Sequence, residues 1–174
     1  MARPNTTIGN GFKPNGVLNL PLGWRGGFIT LTITGGPYDA FEEFDRAADR
    51  AYGVMVRAER SQGYKKHLHL PIHDFQVPDD DVRTHTAVRR ALLAAVRGQE
   101  VFVGCMGGWG RTGLFLALMA KAVGIPEPVR YVRQHYTPRA IETDEQQAYV
   151  DNFDVSGIAG PVRRTAWLKR LGLA

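Results

Sequence analysis

The sequence predicts an α/β domain of three layers, in which helices flank a central, largely parallel sheet. Two observations lead to this prediction. Short β-branched or apolar stretches alternate with longer amphipathic stretches along the chain, and this alternation is typical of parallel sheets covered by helices. The 174 residues are 44% apolar and 22% charged, which is the composition of a folded domain and excludes a disordered or fibrous chain.

The first half of the chain is expected to contain two strands and a helix. Residues 1–27 are rich in Gly, Pro and Asn and are expected to be mainly loop. Residues 28–34 alternate and contain β-branched side chains, which predicts a strand. Residues 39–60 place apolar side chains at helical spacing and predict a helix. Residues 67–72 alternate again and predict a second strand, and the loop that follows ends near residue 80.

The second half is expected to contain one strand and four helices. Asp80 or Asp81 can cap a helix that runs to about Arg97, and Gly98 is placed to end it. A short buried strand is expected at residues 101–103. Thr143 is expected to cap the last of three further helices. These helices are predicted at residues 111–123, 128–136 and 144–153.

Charge divides the chain into a main domain, residues 1–154, and a C-terminal segment, residues 155–174. The chain has 22 basic and 17 acidic residues, but four of the basic residues and none of the acidic ones follow Val155. The main domain is therefore nearly neutral, which does not favour nucleic-acid binding. The segment around Trp167 is short, basic and amphipathic. It is expected to be a packed helix, with a tail on a membrane or nucleic acid as the alternative.

Cys105 is the single cysteine of the chain. It leaves no internal disulfide and no multi-cysteine zinc site, so we expect a reducing, cytoplasmic compartment. The longest apolar run, residues 114–120, is too short to cross a bilayer. The polar stretch after Arg3 predicts no signal peptide.

The surroundings of Cys105 indicate a nucleophile. Cys105 ends a predicted strand, a glycine-rich loop follows, and Arg111 and Thr112 open a helix. Glycines allow backbone N–H groups to point inward as an anion cradle, and the helix N-terminus adds positive potential. Arg111 can hold two phosphate oxygens, and the same cradle favours a thiolate at Cys105. Thr112 can donate a hydrogen bond to the sulfur when it leaves phosphorus.

This segment resembles the Cys-x5-Arg-(Ser/Thr) signature of cysteine-dependent protein phosphatases. It is most similar to the dual-specificity branch, whose loop reads Cys-x-x-Gly-x-Gly-Arg-Thr-Gly. The matching positions are Cys105, Gly108, Gly110, Arg111, Thr112 and Gly113. The resemblance implies a dual-specificity phosphatase-like fold, no metal and no cofactor. It also implies a phosphate-binding loop of Met106, Gly107, Gly108, Trp109, Gly110 and Arg111.

One position departs from the family. The family usually has a histidine immediately before the cysteine, where it helps to organise the loop and the thiolate, and this chain has Gly104. The departure leaves open how strongly the thiolate is favoured.

The resemblance also implies a general acid on an upstream loop. Asp74, at the end of a predicted strand and four residues before Pro78, is the preferred candidate. Asp79, Asp80 and Asp81 are the alternatives, although their place before a helix suits capping better.

Gln146 is a candidate for positioning the hydrolytic water. Residues 136–150 are similar to the family segment Arg-Pro-x-x-(Ile/Val)-Glu-Thr-x-x-Gln-x-x-Phe-Val, with Thr137 in place of its Arg. Gln146 falls on the glutamine that in some members positions water. A glutamine on the helix surface with no such role is the alternative.

Two further side-chain groups leave alternatives open. His67 and His69 share one strand face and are a possible metal pair, but satisfied or surface histidines are the favoured interpretation. Trp109 either stacks on an aromatic substrate at the mouth of the pocket or packs inward.

The sequence therefore predicts a phosphatase that hydrolyses phosphomonoesters through a cysteinyl-phosphate intermediate. The absence of basic side chains at Met106, Gly107 and Trp109 favours phosphorylated proteins as substrates, phosphotyrosine above all. The alternatives are an RNA 5′-phosphatase, an inositol phosphate phosphatase, and a pseudophosphatase that only binds phosphate.

Overall fold

A computed structural model describes residues 15–173. Within this range five strands form one sheet in the order β1-β2-β5-β3-β4. The first pair is antiparallel and the other neighbours are parallel. The strands are β1 (Gly16–Trp24), β2 (Gly27–Pro37), β3 (Ala51–Met55), β4 (Leu68–His69) and β5 (Glu100–Cys105). The predicted, largely parallel α/β sheet is confirmed.

Helices cover both faces of the sheet. The larger core lies between the sheet and five helices, and a smaller core of Tyr38, Phe41, Met55 and Phe102 lies on the other face. The larger group is α2 (Asp81–Val96), α3 (Gly110–Val123), α4 (Pro128–His135), α5 (Asp144–Asn152) and α6 (Ala159–Arg170). The short helix α1 (Phe41–Ala47) and a 3-10 turn at Tyr38–Ala40 cover the smaller core. The three predicted layers are therefore present.

The loop predicted over residues 1–27 is wrong for the part that the structure describes, because Gly16–Trp24 forms β1. Leu18, Leu20 and Leu22 alternate toward the core, and Pro21 is tolerated because β1 is an edge strand. Residues 1–14, with the polar start of the chain, lie outside the described residues.

The helix predicted over residues 39–60 is wrong beyond Ala47. Residues 51–55 form strand β3, which pairs with β5 on one side and β4 on the other. Tyr52 and Val54 face the larger core and Met55 the smaller one. The apolar residues of β3 fall at helical spacing because the strand is buried on both faces, so the pattern predicted a helix instead of a strand. The strand predicted at residues 67–72 is reduced to Leu68–His69.

The predicted helix caps are confirmed. Asp80, rather than Asp81, caps α2 by accepting the Arg83 N–H at 2.9 Å, and Gly98 follows the helix with φ +85°. Thr143 caps α5 by accepting the Gln146 N–H at 3.1 Å. No helix of residues 15–173 is long and apolar enough to cross a membrane.

The C-terminal helix α6 packs on the main domain. Val162 and Ala166 are buried, and Lys169 Nζ donates to the Val96 carbonyl at the end of α2, at 2.9 Å. The division of the chain at residue 154 stays a prediction.

Candidate active site

The candidate nucleophile lies at the carboxyl end of the central strand. Cys105 is the last residue of β5, and α3 begins at Gly110, so residues 106–109 form a tight loop between them. The Gly108 N–H donates to Cys105 Sγ at 3.3 Å, and Cys105 is 3% exposed. The loop therefore wraps around the sulfur at the N-terminus of a helix, where backbone N–H groups and the helix dipole favour an anion.

Two side chains hold the loop by its carbonyl groups. Asn15 Nδ2 donates to the Gly107 carbonyl at 2.7 Å, and the Tyr136 hydroxyl donates to the Gly108 carbonyl at 2.6 Å. Burial raises the pKa of Tyr136, and the nearby Cys105 raises it further, so this hydroxyl keeps its proton and remains a donor. Because these carbonyls are bound from outside, the loop is fixed before any substrate arrives.

The end of β2 packs directly against the loop, backbone to backbone. A Cβ at Gly104 would lie 2.7 Å from the Gly36 carbonyl oxygen and 2.9 Å from Tyr38 Cα. A Cβ at Gly108, where φ is +77°, would overlap the Gly36 backbone. The structure thus explains the glycine at position 104: no side chain fits there, and close packing of β2 occupies the space.

Arg111 joins the loop to two carboxylates. Its side chain is 3% exposed, and Nη1 donates to Glu59 Oε2 at 2.7 Å and to the Ile72 carbonyl at 3.0 Å. Nη2 lies 3.0 Å from Asp74 Oδ1. Burial alone would lower the pKa of Arg111, but the Glu59 hydrogen bond and the charges of Cys105 and Asp74 raise it above its ordinary value. The guanidinium therefore stays charged.

Asp74 is the acid candidate that the structure places beside Arg111. It lies on the loop between β4 and α2, and its side chain is 59% exposed. Asp80 is occupied as the cap of α2, and Asp81 accepts a hydrogen bond from the Tyr149 hydroxyl at 2.6 Å. The fourth candidate, Asp79, is exposed. The geometry favours Asp74, and its catalytic role stays a prediction.

Gln146 ties the Asp74 loop to α5. Its side chain is buried, Nε2 donates to the Gln76 carbonyl at 3.1 Å, and Oε1 accepts the Glu142 N–H at 2.8 Å. The alternative of a glutamine on the helix surface is wrong, because the amide is buried between two backbone segments. A role in positioning water stays a prediction.

Thr112 is buried in the first turn of α3. Its hydroxyl has no hydrogen-bond partner among residues 15–173. The predicted hydrogen bond to the departing Cys105 sulfur therefore stays a prediction, with an unengaged donor in place to make it.

No protein-family model matches the chain. Two uncharacterised proteins of Methanocaldococcus jannaschii are each 36% identical to it over 91 residues, which is 48% of this chain. The match covers 56% of one and 52% of the other, so the chain spans about half the length of these relatives.

Several solved structures with a similar architecture are phosphatases. Tk-PTP in its active form has a TM-score of 0.56 at 24% identity, over 70% of this chain and 89% of that one. A kinase associated phosphatase whose catalytic-site cysteine is replaced by serine has a TM-score of 0.58 at 17% identity, over 79% and 94%. PTPMT1 in complex with PI(5)P has a TM-score of 0.54 at 15% identity, over 77% and 94%.

The chain has the dual-specificity phosphatase fold. This confirms the predicted fold and, at the level of fold, the resemblance to cysteine-dependent phosphatases. On this fold, Cys105 occupies the end of the central strand, and Arg111 faces the loop that carries Asp74.

The sequence pattern did not point to several residues that contact the loop of residues 106–109 or Arg111. Arg57 is fully buried, with Nη1 3.0 Å from Met106 Sδ and Nη2 3.1 Å from Asp39 Oδ1. Arg57 and Glu59 follow β3, a segment that was predicted to be helical, so no sequence signal pointed to them. Tyr136 was detectable, because it begins the family-like segment.

The remaining candidates are Trp109, which lies in the loop itself, and the pair His67 and His69, which lies at strand β4. Trp109 is half-buried, and the Arg139 guanidinium lies 4.2 Å from its ring centroid, so it neither packs fully inward nor stands free. His67 Nδ1 accepts the Gly53 N–H at 3.0 Å, and His69 Nε2 lies 2.9 Å from the Arg57 carbonyl. Both rings are thus engaged by the backbone, as the favoured interpretation had it.

Proposed function

We propose that this protein is a cysteine-dependent phosphatase that hydrolyses phosphomonoesters of tyrosine, serine or threonine in proteins. The observation that carries the proposal is the convergence of Cys105, Arg111 and Asp74 at one end of the sheet. The Cys105 sulfur accepts the Gly108 N–H at 3.3 Å, and the buried guanidinium of Arg111 lies 3.0 Å from the exposed carboxyl group of Asp74. Transfer of a phosphoryl group to sulfur requires a nucleophile, a cation that stabilises the phosphate oxygens and an acid that protonates the leaving oxygen.

In the first step the Cys105 thiolate attacks phosphorus. The S–P bond forms as the bond from phosphorus to the ester oxygen breaks. The backbone N–H groups of residues 106–111 and Arg111 hold the three non-bridging oxygens and stabilise their charge in the transition state. Asp74, protonated at the start, gives its proton to the leaving oxygen of the alcohol or phenol.

In the second step water releases phosphate. Asp74, now a carboxylate, takes a proton from the water molecule that attacks phosphorus. The S–P bond breaks, inorganic phosphate leaves, and the electron pair returns to Cys105 as thiolate. The free hydroxyl of Thr112 donates a hydrogen bond to that sulfur and eases its departure.

The decisive experiment replaces the nucleophile and the acid separately. Cys105→Ser is expected to abolish turnover of an aryl phosphate, and undiminished activity would contradict the proposal. Asp74→Asn is expected to slow hydrolysis of a phosphoserine peptide about 100-fold or more. The loss should be much smaller for an aryl phosphate with a good leaving group, which needs no proton. Asp79→Asn, an exposed neighbour in the same loop, is the matched control. If it shows the leaving-group pattern instead, the acid is misassigned.

A substrate panel separates the alternatives. Phosphotyrosine and phosphoserine peptides are compared with inositol phosphates and triphosphorylated RNA under identical conditions. Preference for RNA or an inositol phosphate would overturn the protein substrate while keeping the mechanism. Binding of phosphopeptides without turnover would identify a pseudophosphatase.

A further inference from the structure

Exposed apolar side chains gather where the turn between β1 and β2 meets the end of α6. Of the seven large apolar side chains that are exposed among residues 15–173, four lie in these two segments, namely Phe28, Trp167, Leu171 and Leu173. The segments are neighbours, because a Cβ at Gly27 would lie 2.6 Å from Arg170 Nη1. Exposed apolar side chains that are grouped in this way mark an interaction surface, whereas scattered ones do not.

This surface lies at the end of the molecule opposite the candidate active site. Strand β2 runs parallel to β5, and Pro37 at its carboxyl end pairs with Cys105. Gly27 begins β2, ten residues before Pro37, which places it roughly 30 Å away along an extended strand. The surface is therefore separate from the residues that the proposed mechanism uses.

Helix α6 turns an apolar stripe toward solvent as well as one toward the core. Val162 and Ala166 are buried, whereas Arg164, Trp167 and Leu171 are exposed. The spacing of three and four residues puts these last three on one face of the helix. A tryptophan and a leucine thus project from the outer side of a helix whose inner side already packs on the domain.

The turn after α6 is fixed by hydrogen bonds. The N–H groups of Leu171 and Leu173 both donate to the Leu168 carbonyl, each at 3.0 Å. Gly172 has φ +72°, which allows the chain to reverse at the helix end. The two exposed leucines therefore have defined positions beside Trp167.

The same end of the molecule is strongly basic. Residues 15–37 and 155–173 contain five basic residues and no acidic one, namely Arg25, Arg163, Arg164, Lys169 and Arg170. None of the five forms a salt bridge within residues 15–173. Lys169 Nζ donates to the Val96 carbonyl, which satisfies one donor but leaves the charge in place. The surface therefore complements an anionic partner.

We propose that this end of the molecule binds the surface of an anionic lipid bilayer. Its basic-aromatic surface consists of Arg25, Phe28, Arg164, Trp167, Arg170, Leu171 and Leu173. Tryptophan and leucine side chains that project from a basic helix suit the boundary between lipid headgroups and acyl chains. Each cation near an anionic leaflet adds attraction. A nucleic acid would match the charge but would leave the exposed leucines without a partner.

The test measures binding of the full chain to vesicles by sedimentation. Vesicles of phosphatidylcholine and phosphatidylserine in equal parts are compared with vesicles of phosphatidylcholine alone. We expect a partition coefficient about tenfold or more larger for the anionic vesicles, because each nearby cation contributes about fivefold. The excess should decrease as salt is added. Tryptophan emission should shift to shorter wavelength on binding, and Trp167→Phe should remove most of that shift.

Two substitutions and two controls assign the surface. Arg164→Gln should lower the partition coefficient about fivefold, and its exposed position leaves the core undisturbed. Trp167→Ala should lower it about fivefold or more, since it removes the largest apolar side chain of the surface. The controls Arg83→Gln and Val82→Ala change exposed side chains at the start of α2, the end of that helix far from Lys169. Both should bind as the wild type.

Each contrary outcome has a distinct meaning. No binding, or equal binding to both kinds of vesicle, overturns the bilayer as the partner. Binding that Arg83→Gln weakens and Arg164→Gln does not weaken overturns the assigned surface. RNA binding that depends on Arg164, without vesicle binding, replaces the bilayer with a nucleic acid.

The orientation of the bound protein gives a separate check. Because the basic-aromatic surface faces away from Cys105, turnover of a phosphopeptide in solution should be the same with and without bound vesicles. Strong inhibition by bound vesicles would contradict this orientation. Vesicle binding without turnover of any phosphorylated substrate would contradict the proposed function and leave the bilayer surface in place.

Discussion

The two halves of the candidate active site are held in different ways. The loop that carries Cys105 is packed on the backbone of Gly36, and hydrogen bonds from half-buried Asn15 and buried Tyr136 hold its carbonyl groups. In the loop that carries Asp74, residues 73–76 are exposed, although Ile72 and Pro78 on either side are buried. It is attached through the ion pair with Arg111 and through Gln146, which donates to the Gln76 carbonyl.

Because of this difference, the Cys105 loop is fixed in place in advance, whereas the Asp74 loop is expected to move more easily. Close packing of glycines leaves the nucleophile loop no alternative position, so its N–H groups cost little to orient at the moment of reaction. The loop that carries Asp74 is attached by a few polar contacts, so moving it is expected to cost less. Changes that disturb the packing of the Cys105 loop should destroy the site. Changes that loosen the Asp74 loop should affect only proton transfer.

The largest effect is expected from Gly108→Ala. The added Cβ overlaps the Gly36 backbone, and alanine is also strained at φ +77°. We expect a loss of about 3 kcal/mol or more in the free energy of unfolding and loss of aryl phosphate turnover, measured by denaturant titration and steady-state kinetics. Gly157→Ala is the control, since Gly157 has φ +76° with nothing within 4 Å of its Cβ, and should cost about 1–2 kcal/mol with activity kept.

The next effect tests the departure at position 104. Gly104→His restores the residue usual in the family, yet its Cβ would lie 2.7 Å from the Gly36 oxygen. We expect the free energy of unfolding to fall by about 2 kcal/mol or more, with lower activity rather than higher. Gly23→His, on edge strand β1 with open space at its Cβ, is the control. A more active, equally stable Gly104→His variant would contradict the packing argument.

The same contrast explains what the sequence could predict. The nucleophile loop depends on local chain geometry, so the spacing of Cys105, the glycines and Arg111 was enough to locate it. The partners Arg57 and Glu59 come from a segment whose helical spacing concealed β3. Their approach to Met106 and Arg111 depends on strand order, which no local pattern encodes. β1 was missed because its glycines and proline suggested loop, although pairing with β2 stabilises it.

A smaller and more selective effect is expected from Gln146→Ala. The change leaves the Glu142 N–H and the Gln76 carbonyl without their partner, which costs about 1–2 kcal/mol of stability and loosens the Asp74 loop. The kcat for a phosphoserine peptide should fall about tenfold or more, because general acid catalysis contributes at least that much. Hydrolysis of an aryl phosphate with a good leaving group should change little.

Two controls decide what Gln146 does. Gln76→Ala removes an exposed side chain but keeps the carbonyl that accepts from Gln146, so it should behave as the wild type. Gln146→Glu keeps an acceptor for the Glu142 N–H and should recover part of the activity. If Gln146→Ala instead slows all substrates equally, at the step that releases phosphate, then Gln146 positions water rather than the loop.

The smallest effect is expected from Glu59, which shares Arg111 with Asp74. The hydrogen bond from Arg111 holds the pKa of Glu59 below its ordinary value. The carboxylate therefore contributes stability above the unfolded pKa of about 4.3, and this stability is lost as the pH falls through the lower folded value. Glu59→Gln should cost about 1 kcal/mol or less at pH 7, because Glu59 is 40% exposed. In denaturant titrations the difference from wild type should shrink as the pH falls below the unfolded pKa of Glu59 and vanish below its lower folded pKa. A difference that does not shrink on acidification would show that packing, not charge, fixes Arg111.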